Sequence, residues 1–136
     1  MPLDLCLDPP QRRRRDRGQL AYLSGLAAED GVERLYLSKG YRLAARRWRG
    51  CSGEIDLIFQ GADGVIFVEV KRAASHDLAL TRLGPAQIRR IVGASEEYLG
   101  NVLNQPFAER QYHLALVDGA GRVAIRSDVF ECDTVY

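Results

Sequence analysis

The sequence predicts an α/β domain, a mixed β-sheet flanked by helices with its elements in the order α-β-β-β-α-β. Three observations lead there. Two apolar runs of strand length, Glu54–Phe59 and Val65–Val70, flank a turn rich in Gly and Asp. Apolar residues recur at helical spacing before this pair of runs and again after it. A further strand pattern, Tyr112–Val117, follows the second helix.

The elements take shape as follows. From Gly18 to Lys39, Leu20, Leu23, Ala27, Val32, Leu35 and Tyr36 recur at three- and four-residue spacing, which predicts a helix. Gly31 weakens it by roughly 1 kcal/mol relative to Ala, and Gly40 is placed to follow its end. Tyr41–Trp48 alternates, with Tyr41, Leu43 and Ala45 opposed to Arg42, Ala44 and Arg46, as a half-exposed strand does. Residues 49–53 form a loop, and residues 73–84 show no period and read as irregular. Pro85 opens the second helix, whose buried stripe is Ile88, Ile91, Val92, Ser95 and Leu99, with Gly100 at its end. After the strand at Tyr112–Val117, Asp118-Gly119 makes a turn and Val123–Ile125 is placed to pair back.

A chain of 136 residues supports one domain with a sizeable core and leaves no room for a separate substrate domain. Residues 1–17, with Pro9-Pro10 and a run of arginines, read as a basic tail without fixed structure, leaving 18–136 as the domain. Cys6, Cys51 and Cys132 are odd in number and lack C-x-x-C spacing, which points to reduced thiols in a cytoplasmic protein and away from a disulfide framework or a zinc site. No apolar stretch reaches membrane-spanning length, and no hydrophobic segment follows the amino-terminal charges, so neither a membrane partner nor a secretory signal is expected. The net charge of +1 excludes nothing, but the arginines cluster at residues 12–17, at 42–49 and at 89–90. Only two lysines, Lys39 and Lys71, stand among 17 arginines, and a lysine can lose its proton where an arginine cannot.

Strand register is the most informative feature. Setting Ile55, Leu57 and Phe59 opposite Val70, Val68 and Ile66 makes every cross-strand pair on that face apolar, with Gly61-Ala62-Asp63-Gly64 as the loop. The other face then follows without choice: Glu54 opposite Lys71, Asp56 opposite Glu69, Ile58 opposite Phe67. Facing carboxylates destabilise a sheet unless a shared proton or a bound cation relieves them. Oxygen ligands of this kind suit Mg²⁺ or Mn²⁺, and a lysine alongside is placed to assist an attacking water or steady developing negative charge. A solvated acidic pair with Lys71 as its salt-bridge partner would give the same pattern, and the residues alone leave both readings open.

Gly53-Glu54-Ile55-Asp56-Leu57-Ile58 followed by Phe67-Val68-Glu69-Val70-Lys71 resembles the signature of the YraN family, small bacterial proteins related to archaeal Holliday-junction resolvases within the PD-(D/E)xK nuclease superfamily. Gly25-x-x-Ala28-Glu29 matches that family's helix, Leu37-x-x-Gly40-Tyr41 the turn after it, and Tyr112 onward with Phe130 its carboxyl-terminal strand region. The resemblance implies a restriction-endonuclease-like fold, Glu29, Asp56 and Glu69 as ligands of Mg²⁺ or Mn²⁺, and Lys71 as the catalytic lysine. The family resemblance does not itself deliver a substrate; branched or structured DNA is the partner expected on the leading reading, and analogy with resolvases offers a homodimer. Three positions depart from the family pattern: Ala73 stands where an Arg is usual, with Arg72 one residue earlier; Gln87 replaces a lysine at the start of the second helix; and Arg47 replaces an Asn before Trp48.

Arg46, Arg47 and Arg49, just ahead of the motif, are the candidates for phosphate contacts, with Gln87 reaching the same site; a solvated strand edge is the other reading of the arginines. Trp48 and Tyr41 suit packing at a strand end, His76 and His113 lack metal-ligand spacing, and Glu54 is most simply a partner of Lys71. The leading expectation is a metal-dependent endonuclease. The alternatives are a non-catalytic nucleic-acid-binding module with the same fold and a protein-interaction domain.

Overall fold

A computed structural model describes the backbone of residues 9–133. Helix α1 spans Pro9–Ser38. It begins at Pro9 instead of Gly18, so residues 9–17 of the expected tail are helical, while residues 1–8 lie outside the described residues. Prolines are tolerated in a first turn and Arg and Gln are strong helix formers, so this stretch extends the helix without showing an apolar period. The helix stops where Lys39 and Gly40 donate their N–H groups back to Tyr36 and Leu37, and Gly40 adopts a φ of +93°.

Among the described residues, five strands form one sheet in sequence order: β1 (Arg42–Arg49), β2 (Glu54–Gly61), β3 (Gly64–Arg72), β4 (Arg110–Val117) and β5 (Val123–Arg126). The first three pair antiparallel, β3 and β4 pair parallel, and β4 and β5 pair antiparallel. A parallel step needs a crossover. It is made by α2 (His76–Leu80), α3 (Pro85–Glu97) and a π-helical turn at Tyr98–Val102. Helix α2 falls in the segment expected to be irregular; its Ser75 side chain caps the Leu78 N–H, but five residues are too few to display a period.

Helices cover both faces of the sheet. Ala28, Val32 and Tyr36 of α1 pack with Leu57, Phe59, Ile66 and Val68. Ile88, Ile91 and Ala94 of α3 pack with Ile58, Phe67, Leu114 and Leu116 on the opposite face. Burial on both sides is why β2 and β3 read as continuous apolar runs in the sequence. In β1 the expected alternation is broken by a register shift between Leu43 and Ala45, which leaves Leu43 exposed while Ala45 and Trp48 pack toward α3. Phe130 lies in a 3₁₀ turn at Asp128–Asp133, not in a strand, and is buried with its ring stacked on Tyr112 at 5.6 Å. The architecture is the mixed α/β, restriction-endonuclease-like fold that the sequence predicts. Among the described residues, no helix is long and apolar enough to cross a membrane.

Candidate active site

The β2–β3 register is the predicted one from the turn inward: Gly61↔Gly64, Phe59↔Ile66, Ile58↔Phe67 and Leu57↔Val68. There the ladder ends. The next residues are Asp56 and Glu69, and the Val70 N–H donates to Asp56 Oδ2 at 2.8 Å. On the other side of β2, between the pairs Arg46↔Leu57 and Trp48↔Ile55, the backbone of Arg47 sits at φ +50°. Asp56 thus occupies a point where β2 is irregular toward both neighbours. The irregularity also reverses side-chain parity. Ile55, expected to share a face with Leu57 and Phe59, packs instead with Ile58 on the α3 side.

The two carboxylates meet in a nearly dry setting. Glu69 is 4% exposed and receives the Gln87 amide at 2.7 Å and Lys71 Nζ at 3.1 Å, both on Oε2. Burial pushes the Glu69 carboxyl up to about 8; the negative charge on Asp56 adds to the rise and Lys71 opposes it. Asp56 is also raised, by burial first, against the Val70 N–H that favours its charged form, and with the charge of Glu29 adding to the rise. Both acids are raised and the charge of Asp56 adds to the rise of Glu69, so the pair favours holding a proton, one of the remedies for facing acids. Lys71 therefore serves Glu69, not Glu54 as expected. Glu54 lies opposite Arg49 on β1 and pairs with it at 3.2 Å.

Glu29 comes to the same region from α1 and is 8% exposed. Its carboxylate is held by Arg47, with Nε at 3.1 Å and Nη2 at 3.4 Å, and by Arg46 Nη2 at 3.3 Å. Arg46 also bonds Asp30 at 2.8 Å and Glu33 at 3.0 Å. Each of the arginines expected at phosphates, Arg46, Arg47 and Arg49, thus has a carboxylate partner, because a buried acid on α1 needs a counter-charge and β1 is the strand beside it. Among the described residues, no group of three or more His, Cys, Asp or Glu side chains is arranged to hold a metal ion, and Glu29 is engaged by Arg46 and Arg47. The two-acid seat still fits a hard divalent cation. Mg²⁺ is commonly held by one or two carboxylates, with water and substrate oxygens completing its shell, and a cation between Asp56 and Glu69 would replace the proton that the pair favours.

Comparison with known proteins places this geometry in a family. The model of "Uncharacterised protein family UPF0102" matches residues 28–131. The chain belongs to the UPF0102 family. A UPF0102 protein of Cereibacter sphaeroides is 44% identical over 113 residues, covering 83% of this chain and 97% of the relative. Relatives of the same name in Dinoroseobacter shibae and Ruegeria pomeroyi are each 42% identical, over 90% and 84% of this chain and 92% and 93% of their own lengths. The YraN-like resemblance of the two motifs is borne out, and the family match spans all of the predicted site residues.

Two further features of the UPF0102 site escape sequence reasoning. Glu97, at the end of α3, accepts the N–H groups of Cys51 at 2.7 Å and Ser52 at 2.8 Å, clamping the loop that leads into Gly53-Glu54. These two bonds hold its carboxyl below the usual range. The loop lies so close to α3 that a Cβ on Gly53 would stand 3.1 Å from Arg90 Cβ, which accounts for the glycine that opens the first motif. The only signal for Glu97 was an acid at the end of a predicted helix, which is not distinctive. The histidines are structural: His113 Nδ1 bonds the Tyr36 hydroxyl at 2.6 Å, and His76 Nε2 bonds the Arg122 carbonyl at 2.9 Å.

Proposed function

We propose that this UPF0102 protein is a Mg²⁺- or Mn²⁺-dependent endonuclease that hydrolyses phosphodiester bonds in branched or otherwise structured DNA. The observation that carries the reading is the buried Asp56–Glu69 pair at a break in the sheet, with Lys71 and Gln87 on its one well-satisfied oxygen. A buried acidic pair with strongly raised affinity for a proton is what a cation-binding seat looks like before it is filled. Asp56 and Glu69 would hold the metal, which when bound supplies Lewis acidity at the scissile phosphate. Lys71, whose side chain is 19% exposed beside Glu69, reaches from the dry interior to solvent, where it is suited to orient an attacking water or stabilise charge on the phosphate. Gln87 fixes the Glu69 carboxylate, and Arg47 neutralises Glu29 behind it. Two copies acting together would present paired sites to the two strands of a junction.

Calorimetric titration of Mn²⁺ into wild type and Asp56→Asn, followed by a cleavage assay on a four-way junction, tests this reading. Binding and metal-dependent cleavage by wild type, both lost in Asp56→Asn, are expected; a wild type that takes up no Mn²⁺ even with DNA present ends the nuclease reading. One observation favours a second reading, a nucleic-acid-binding module without chemistry: the arginines that hold Glu29 leave the seat with two acids. DNA binding that persists without any metal uptake is its signature.

A further inference from the structure

Arg46, Arg47 and Arg49 of β1 are engaged with carboxylates, but the arginines of a neighbouring cleft are not. Between α1 and the turn joining β4 to β5 lies a space of about 240 Å³ whose lining includes Arg34, Arg72, Ala27, Gly31, Gly119 and Asp118. Among the described residues, the side chains of Arg34 and Arg72 have neither a hydrogen bond nor an ion pair, and both residues are exposed. From it we infer that this cleft is the channel for the sugar-phosphate backbone of a nucleic-acid strand, with Arg34 and Arg72 as its phosphate contacts. The inference rests on the nuclease reading and adds to it where the substrate lies.

Charge and shape support it together. The acid in the cleft, Asp118, does not oppose an anion strongly, because its carboxylate is already spent on the turn. Its Oδ1 accepts the N–H groups of Ala120 and Arg122 at 2.9 Å each, and its Oδ2 accepts Arg122 Nε at 3.0 Å. The walls carry small residues, Ala27 and Gly31 on the helix and Gly119 and Gly121 on the turn, so a chain as thick as a phosphate backbone meets few side chains and few groups that read a base. Along the chain the cleft residues are next to those of the carboxylate site. Ala28, in its lining, precedes Glu29, and Arg72 follows Lys71 directly on β3. Successive residues of a strand face opposite ways, so Arg72 projects on the α1 face of the sheet, while Lys71 and Glu69, the latter bonded by Gln87 of α3, project on the other. Arg72 is followed by the small Ala73, which is buried in the core. The guanidinium of Arg72 thus lies on the α1 face of the sheet. Binding through guanidinium–phosphate pairs of this kind is independent of base sequence and strongly dependent on salt.

Fluorescence anisotropy with a labelled single strand and a labelled four-way junction, in the absence of divalent metal, reads the channel directly. Arg34→Gln with Arg72→Gln is expected to weaken binding by about tenfold or more near ~50 mM salt, and to lower the slope of log K against log salt by about 1.4 to 1.8, the value of two lost phosphate contacts. Ala27→Glu, which keeps both arginines and adds a negative charge to the cleft, weakens binding as well. Lys39→Gln with Arg42→Gln removes the same charge at the far end of the sheet and leaves affinity within about twofold, a level set by non-specific charge alone. Thermal melts confirm that each surface variant is folded. Wild-type affinity and slope in the Arg34/Arg72 variant overturn the channel and leave the nuclease reading standing, as does equal weakening by the Lys39/Arg42 control. Tight binding of inorganic phosphate to wild type, undiminished by competing oligonucleotide, overturns the strand as occupant in favour of a free anion. A wild type that binds neither nucleic acid ends the channel and the nuclease reading together.

Discussion

The β2–β3 hairpin has two ends that differ in nearly every respect. At the closed end, pairing is continuous from Leu57↔Val68 to Gly61↔Gly64, and the side chains are buried and apolar, with Phe59 stacked on Tyr36 at 4.4 Å. At the open end the ladder stops, a backbone N–H turns to a carboxylate, and two acids are buried against each other. The closed end fixes the register, and the register forces Asp56 and Glu69 together. Stability concentrated in one half of a hairpin thus holds an unfavourable arrangement in the other, as expected of a site kept for chemistry.

Breaking the closed end should have the largest effect on the fold. Gly64 adopts a φ of +136°, and a Cβ there would stand 2.3 Å from the Glu109 carbonyl oxygen, in the place where Val65 N–H bonds that same oxygen at 3.0 Å. Backbone cannot yield as a side-chain tip does, so Gly64→Ala should destabilise by about 3 kcal/mol, from strain in a region that only glycine occupies freely. Urea unfolding measures it, and a loss below about 1 kcal/mol would show that the turn is not what pins the register.

The open end should respond to pH with the opposite sense to an ordinary carboxylate. The folded state prefers protonated Glu69, whose pKa rises from 4.5 to about 8. Its contribution to stability is therefore full below 4.5 and is lost as pH rises toward 8. Between those values the loss is up to about 1.4 kcal/mol per pH unit. Asp56, also raised, acts in the same direction. Glu69→Gln keeps a neutral side chain at every pH, so its stability should vary less over this window and exceed that of wild type at the alkaline end. Melting curves at intervals of pH that run parallel for the two proteins would count against a buried, protonated pair.

What the sequence disclosed follows the same division. The register, both helices that cover the sheet and the facing acids were legible because burial selects parity, and parity leaves one choice for the opposite face. The partners of charged groups were not. The sequence pairs Lys71 with Glu54, whereas Lys71 pairs with Glu69, Glu54 with Arg49, and Glu29 with Arg46 and Arg47. A carboxylate takes whichever cation the fold brings nearest. That depended on the left-handed backbone of Arg47 and the shift in β1, neither of which leaves a periodic trace. Helix α2 is too short to show a period, and the arginine-rich extension of α1 to Pro9 has no apolar spacing in the sequence to announce it.

The smallest expected effect, confined to the loop at the open end, separates positioning from stability. Glu97 accepts from Cys51 and Ser52 just before the first acidic motif, and its lowered pKa means that the clamp favours the charged carboxylate. Glu97→Ala leaves both N–H groups to solvent without opening the core. Amide exchange at Cys51 and Ser52 should therefore accelerate, while Ile58 and Phe59, in the paired part of β2, exchange as in wild type. In wild type the clamp is complete above the ordinary carboxylate pKa and is lost only as pH falls through the lowered value, so protection of these two amides should fade in acid before the sheet unfolds. Unchanged exchange at Cys51 and Ser52 in Glu97→Ala would mean that the loop is held by its packing on α3 instead, through the close approaches of Gly53 to Arg90 and of Gly93 to Ser52.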